Sequence, residues 1–315
     1  MRPSLTAGLS RAVLAPLRAV GLLAAVSAAV FAATELLPGD AADAVGAGRA
    51  SAAQLAELRA ERGLDRPGWE RWAGWAWALL HGDAGRSLLS GRPVVDVVGG
   101  RLPATAVLAG PAFVLTALLV LLGCALAGRR ALRRPGDAGG GLATAFTAVP
   151  QVVVAAALAA LLSGVLGWVP PVSLLPAGGG PPDPSIVLLP VLTLALPSAA
   201  FGVALLGGAV ADALRRPYVT DALIRGVPAG RILRRHVLPV LAAPALRVLA
   251  VVVGGLTAGS ALVETVFGYA GAGELLVSSV AARDTPVVQL LALGSAAAVL
   301  AVLLLADLVP VRRPS

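Results

Sequence analysis

The sequence predicts an all-α integral membrane protein, a polytopic bundle of six spanning helices. Three observations predict it. Hydrophobic residues make up 57% of the chain and charged residues 13%, against about 25% charged in an ordinary soluble domain. Six stretches reach the roughly 20 apolar residues that a spanning helix needs: 12–36, 104–127, 142–166, 186–209, 245–263 and 287–309. Finally, arginines crowd alternate short loops, as the positive-inside rule requires of a multi-pass chain.

In chain order, Arg2, Arg11 and Arg18 surround the start of the first span. Its end, "SAAVFAATE", has the small residues of a signal-peptide cleavage site. A signal h-region is only about 7–15 residues, however, and this run is longer. It reads as a retained helix. The second span is followed by Arg129, Arg130, Arg133 and Arg134, the fourth by six arginines within 215–244, and the sixth by Arg312 and Arg313. The alternate loops, 167–185 and 264–286, hold only Arg283. Both termini therefore belong on the cytoplasmic side. Pro150 in the third span and Pro190 and Pro197 in the fourth read as kinks, because neighbouring helices can satisfy the freed carbonyls. The chain divides into residues 1–103, one helix with an extracytoplasmic loop, and a core of residues 104–315 that includes a basic cytoplasmic loop, 211–244.

The outer loop, 38–103, balances eight arginines against eight acids, and loops this long escape the positive-inside rule. Ser51 with Gln54 three residues on is a capping pattern, and Gly63 closes the helix it starts. Trp69, Trp72, Trp75 and Trp77 follow. Tryptophan prefers the membrane–water interface, so this segment reads as amphipathic and lying against the outer surface. A stacking platform for nucleic acid or sugar is the alternative.

Several function classes fall away. The formal charge of +8 does not imply nucleic acid, since aromatics are 4% and the arginines form no continuous stripe. All 25 basic residues are arginine. A phosphate-binding P-loop needs its lysine, so this chain cannot hold an ordinary one. One cysteine, Cys124, and two histidines exclude a disulfide framework and a Cys/His zinc site. The spans hold no Ser/His/Asp set, H-E-x-x-H or acidic pair, so no catalytic or metal-ligating residue is assigned.

The segment "RRPYVTDALIRGVPAGRILRRHVLPVLAAP", 215–244, carries six arginines and one acid between two apolar runs. Pro217 suits the first turn of a helix, and Gly226 suits its left-handed end. Pro228 starts a second short helix running to Leu238, with Pro239 behind it. Ile232, Leu233, Val237 and Leu241 share one side of that helix, and Arg231, Arg234 and Arg235 share another. The arginines alone would serve as topology markers and snorkelling anchors. Anchoring needs no glycine hinge framed by prolines, whereas a short exposed helix pair suits the docking of a soluble protein.

This stretch resembles the signature loop of bacterial ABC-importer permeases: E-A-A, three residues, Gly, nine residues, Ile-x-Leu-Pro. Ala222, Gly226, Leu238 and Pro239 match its spacing, while Thr220, Asp221 and His236 stand at the Glu, first Ala and Ile positions. Tyr218, Val219, Ala222, Gly226, Arg235, His236, Leu238 and Pro244 resemble the dipeptide/oligopeptide/nickel branch. "LLPGD" (36–40), "GLDRP" (63–67), "HGDAGRSLLSGRPV" (81–94), "RLPAT" (101–105), "ETVFGYAGAGELL" (264–276) and "RDTPVVQ" (283–289) are similar to segments of that branch in order. Ala270 stands where the branch has Pro, the tail reads "ADLVPVRRPS" rather than Asp-Pro-Arg, and "GVALLGGAV" replaces an arginine-bearing turn.

The resemblance implies the type I ABC importer transmembrane fold in a bacterial cytoplasmic membrane. It implies a path for peptides or a small solute such as a nickel complex. The implied partners are a second permease subunit, two cytoplasmic ATPases holding ATP and Mg²⁺, and an extracytoplasmic solute-binding protein, with the lipid bilayer around them. This chain binds no cofactor on that reading. The ATPase-coupling loop would use Tyr218, Asp221, Ala222, Gly226, Arg235, His236, Leu238 and Pro239. An extracytoplasmic gate would use Glu264, Phe267, Gly271 and Gly273, with a solvated or paired Glu264 as the simpler reading. Pro150 and Gln151 would line the path. His236 reads as a structural hydrogen-bonding residue ahead of a proton relay. Gly255 and Gly259 form a G-x-x-x-G that permits close helix packing. The rival class is a stand-alone secondary transporter or channel, which favours paired mid-membrane charges or matched broken helices. Neither is visible.

Overall fold

The computed structural model of the protein describes residues 5–37, 39–46, 50–133, 141–175 and 182–308. Arg2, Arg134, Arg312 and Arg313 lie outside them. Among the described residues the regular secondary structure is helical, apart from one isolated bridge between Arg86 and Pro93.

Helix α1 (Leu5–Glu35) is followed by four short helices, α2 (Ala41–Gly46), α3 (Ala52–Glu61), α4 (Gly68–Leu80) and α5 (Val94–Gly99). Then come α6 (Leu102–Arg133), α7 (Gly141–Thr147), α8 (Gln151–Leu158), α9 (Pro184–Leu214), α10 (Pro217–Ile224), α11 (Ala229–Ile232), α12 (Leu238–Phe267), α13 (Ala272–Ala281) and α14 (Thr285–Leu308). Wide π turns extend α8 to Val165 and join α11 to α12. Among the described residues five helical runs are long and apolar enough to cross a membrane: Leu17–Glu35, Leu102–Leu132, Pro184–Leu214, Ala229–Phe267 and Thr285–Leu305.

Two expectations are corrected here. The third predicted span is not one kinked helix. Pro150 separates α7 from α8, with its own ψ at 138°, because its ring would clash with the carbonyl four residues back. Pro190 and Pro197, by contrast, stay inside an unbroken α9, the most buried of the five runs. Second, Pro239 does not end the helix that begins after Pro228. The run from Ala229 to Phe267 is continuous, because the π turn over Leu233–Val237 resets the ladder, Leu238 N–H bonding Leu233 O, just before the proline.

Internal packing divides the chain into two compact units, Met1–Thr105 with Ala270–Ala297, and Ala106–Tyr269 with Ala298–Ser315. In the first, Ala84, Val94 and Val98 share a core with Ala272, Val287 and Leu291. Buried Asp284 accepts from the Ser87 hydroxyl and, at 2.9 Å, from Leu88 N–H. Ser27 Oγ donates to Gln289 Oε1 at 2.9 Å, while Gln289 Nε2 returns a bond to Ser27 O at 3.0 Å. Ser51 makes the full capping box with Gln54.

In the second unit α6 and α9 approach closely through small residues. A Cβ on Gly123 would lie 2.6 Å from Val203, and one on Gly202 would lie 2.6 Å from Val120. Such reciprocal packing drives helix association where lipid removes the hydrophobic incentive. The predicted Gly255–Gly259 pair is half right. A Cβ on Gly259 would press on the Gln151 amide at 3.0 Å, whereas Gly255 faces open space.

Candidate functional site

The second unit carries the basic element at residues 217–239. Pro217 takes the first helical position of α10, and Arg216 before it is extended, with ψ 141°. The helix stops at Gly226, whose φ of 74° is left-handed and cheap only without a Cβ. Gly226 N–H bonds Leu223 O at 2.9 Å, and Val227 N–H bonds Ala222 O at 3.0 Å. These two bonds make a Schellman stop. Pro228, with ψ 139°, turns the chain directly into α11.

The two helices bury one side each. Val219 and Ala222 from α10 join Ile232, Leu233, Val237 and Leu241 in one cluster with Val120, Cys124, Leu206 and Val210 of the long helices. A Cβ on Gly128 of α6 would meet Leu233 at 2.8 Å, so the end of α6 presses on the same patch. Asp221, Arg225, Arg231, Arg234, Arg235, Leu238 and Pro239 remain exposed. Asp221 and Arg225 pair at 3.4 Å, but both are about 70% open to solvent, so the pair adds little to stability. His236 makes a ring contact with Tyr218, centroids 5.8 Å apart, rather than the expected hydrogen bond. The Tyr218 hydroxyl is buried with no hydrogen-bond partner among the described residues. Chemically the arrangement is a ridge: apolar beneath, guanidinium-rich above, and closed by a fixed turn.

The predicted gate residues fall in two places. In the second unit Glu264 is fully buried, which overturns the solvated reading. Phe267 is buried beside it in sequence, at the end of α12, and Gly268 closes that helix with φ 66°. Tyr269 N–H returns to Glu264 O at 2.8 Å, and Ser173 N–H bonds Phe267 O at 2.7 Å. Burial, with the Glu264 charge adding to it, pushes the Tyr269 phenol up to about 12. Gly271 and Gly273 belong to the first unit, where Gly271 caps α13 and Gly273 lies in its first turn. Gln151 begins α8, half-buried, and its Nε2 donates to Thr193 O at 3.4 Å. Pro150 is exposed. Tyr269 and Ser173 were not singled out in the sequence. The Phe-Gly-Tyr order was the available sign for Tyr269, since a glycine stop folds the following residue back onto the last turn.

Residues 104–310 match the family described as binding-protein-dependent transport system inner membrane component. A Brucella abortus protein named for a peptide transport system permease is 31% identical over 276 residues, covering 86% of this chain and 87% of that one. The glutathione transport system permease protein GsiC of Pectobacterium atrosepticum is 32% identical over 267 residues, covering 82% and 83%. GsiC of Salmonella choleraesuis is 31% identical over 269 residues, covering 84% of each chain. These similarities run through both units and set aside the stand-alone transporter or channel. The chain belongs to the binding-protein-dependent transport system inner membrane components, as a multi-pass permease subunit of an ABC transport system.

Proposed function

We propose that this permease imports peptides or peptide-like solutes and takes its driving force through residues 217–239. The observation that carries the reading is the one-sided burial of that element. Val219, Ala222, Ile232 and Val237 are sealed into the core of the long helices, and the arginines stand outside it. A rigid ridge of this kind transmits a displacement instead of absorbing it. Its basic face suits an acidic groove on a cytoplasmic ATPase.

On this reading ATP and Mg²⁺ reside on two ATPase partners, consistent with the lack of any lysine for a P-loop. A second permease subunit completes the path, and an extracytoplasmic binding protein delivers the solute. Both termini face the cytoplasm, following the arginine-rich loops. Residues 1–103 form the outer region with its helix, and 104–315 the translocation core. Glu264 and Phe267, with Gly271 and Gly273, act in the outer gate, and Gln151 beside Pro150 lines the path. The names of the similar proteins support a peptide class that includes glutathione-sized solutes.

The test is Gly226→Pro, which forbids the left-handed turn. Proteoliposomes holding the variant with its ATPases and binding protein should lose ATP-driven uptake, while membrane insertion stays intact. Uptake at the wild-type rate would remove residues 217–239 from the coupling path.

A further inference from the structure

The four tryptophans of the first unit do two different jobs. Trp72 Nε1 donates to Ser27 Oγ at 3.0 Å, and Trp75 Nε1 donates to Ala84 O at 3.1 Å. Trp69 and Trp77 are 71% and 67% exposed, and among the described residues neither indole N–H has a protein partner. Trp69, Ala73, Trp77 and Leu80 follow one another at spacings of four, four and three, which sets them on one face of α4. All four are exposed. From Trp72 to Leu80 the helix carries no charge.

The depth of this helix can be read from its contacts. Trp72 meets Ser27, Arg71 lies 5.6 Å over the Phe31 ring and pairs with Glu35, and a Cβ on Gly68 would touch Phe31 and Glu35. Residues 27, 31 and 35 are one stripe along the last two turns of α1, a stretch of about 12 Å. That stretch closes the apolar run Leu17–Glu35, so the start of α4 runs beside the end of a spanning helix. At 13 residues α4 is too short to cross the bilayer itself. A face with two exposed indoles and a single charge, Glu70 in its first turn, at the edge of a spanning segment belongs where tryptophan is enriched, at the boundary of headgroups and acyl chains.

We infer that the Trp69–Ala73–Trp77–Leu80 face of α4 is an interfacial lipid anchor, seated in the headgroup–acyl boundary of the membrane that α1 spans. Trp72 and Trp75 hold the helix to the protein, leaving Trp69 and Trp77 to hold it to lipid, with their N–H groups available to headgroup oxygens. The inference does not depend on which solute is carried.

Two measurements test it. The native cysteine, Cys124, is buried, so single exposed cysteines can be read against it. In spheroplasts Glu57→Cys on α3 should react readily with a membrane-impermeant maleimide. Ala73→Cys should be protected until detergent dissolves the bilayer. Equal labelling of the two would overturn the anchor. In proteoliposomes of the purified permease carrying Trp168→Phe, which removes the other exposed indole, lipids brominated near the headgroup should quench tryptophan emission, and adding Trp69→Phe/Trp77→Phe should lose most of that quenching. Quenching that survives the double variant unchanged would also overturn it. So would protection of Ala73→Cys in spheroplasts with no lipid quenching in the proteoliposomes, since the face would then be covered by another protein.

Discussion

Helix α4 and the α10–α11 pair are both short amphipathic elements attached to long apolar helices, and they present opposite faces to the outside. The α10–α11 pair hides aliphatic side chains and displays Arg225, Arg231, Arg234 and Arg235. Helix α4 spends two indoles on internal hydrogen bonds and displays the other two. The inner faces look alike because each must be apolar enough to stay down. The outer faces differ in the partner each would suit: a guanidinium ridge suits an acidic protein groove, and an indole face suits lipid. The exposed side is the one that distinguishes the two elements, whereas the buried side reports only attachment.

Substitutions sharpen or break this contrast. The largest effect should come from Ile232→Asp, which buries a charge in the cluster under the ridge. We expect a loss of about 3–5 kcal/mol, read as a collapse in the yield and thermal midpoint of detergent-solubilised permease. A stable variant would mean that the underside is not sealed. Next, Arg231→Ala/Arg234→Ala/Arg235→Ala should leave the thermal midpoint near wild type but slow ATPase association about tenfold at low salt, with the gap closing as salt rises. Surface plasmon resonance across a salt series reads this. An unchanged, salt-independent rate would assign the arginines to topology alone. Smallest, Trp72→Phe should cost about 1 kcal/mol through the lost bond to Ser27, whereas Trp77→Phe should cost about 0.5 kcal/mol or less. Paired thermal denaturation in one detergent compares them, and equal losses would erase the division between inward and outward indoles.

Much of this architecture was legible in the residues. Apolar length located the long helices, Ser51 and Gln54 announced a cap that formed as written, and the spacing of Ile232, Leu233, Val237 and Leu241 identified the buried side of the ridge. Local rules sufficed wherever the decisive partner was within a turn or two. They failed where a distant partner decided. Pro150 and Pro197 obey the same intrinsic constraint, yet one breaks its helix and the other is carried inside α9. Gly259, not Gly255, is the close-approach glycine because Gln151 lies opposite it. Ser27 and Gln289 are 262 positions apart, and nothing local pairs them. Pro239 looked like a stop because a widened turn leaves no mark in composition.

That widened turn makes one rod out of two predicted helices. The run Ala229–Phe267 is 39 residues, about 58 Å at 1.5 Å per residue, nearly twice the roughly 30 Å hydrocarbon thickness. It overhangs the slab like a tiller, with Arg231 and Arg234 on the grip and Glu264 and Phe267 on the blade. On the proposed coupling, a torque applied at the arginines would reach Glu264 through continuous helix, with the π turn over Leu233–Val237 and Pro244 as the places where the rod can bend.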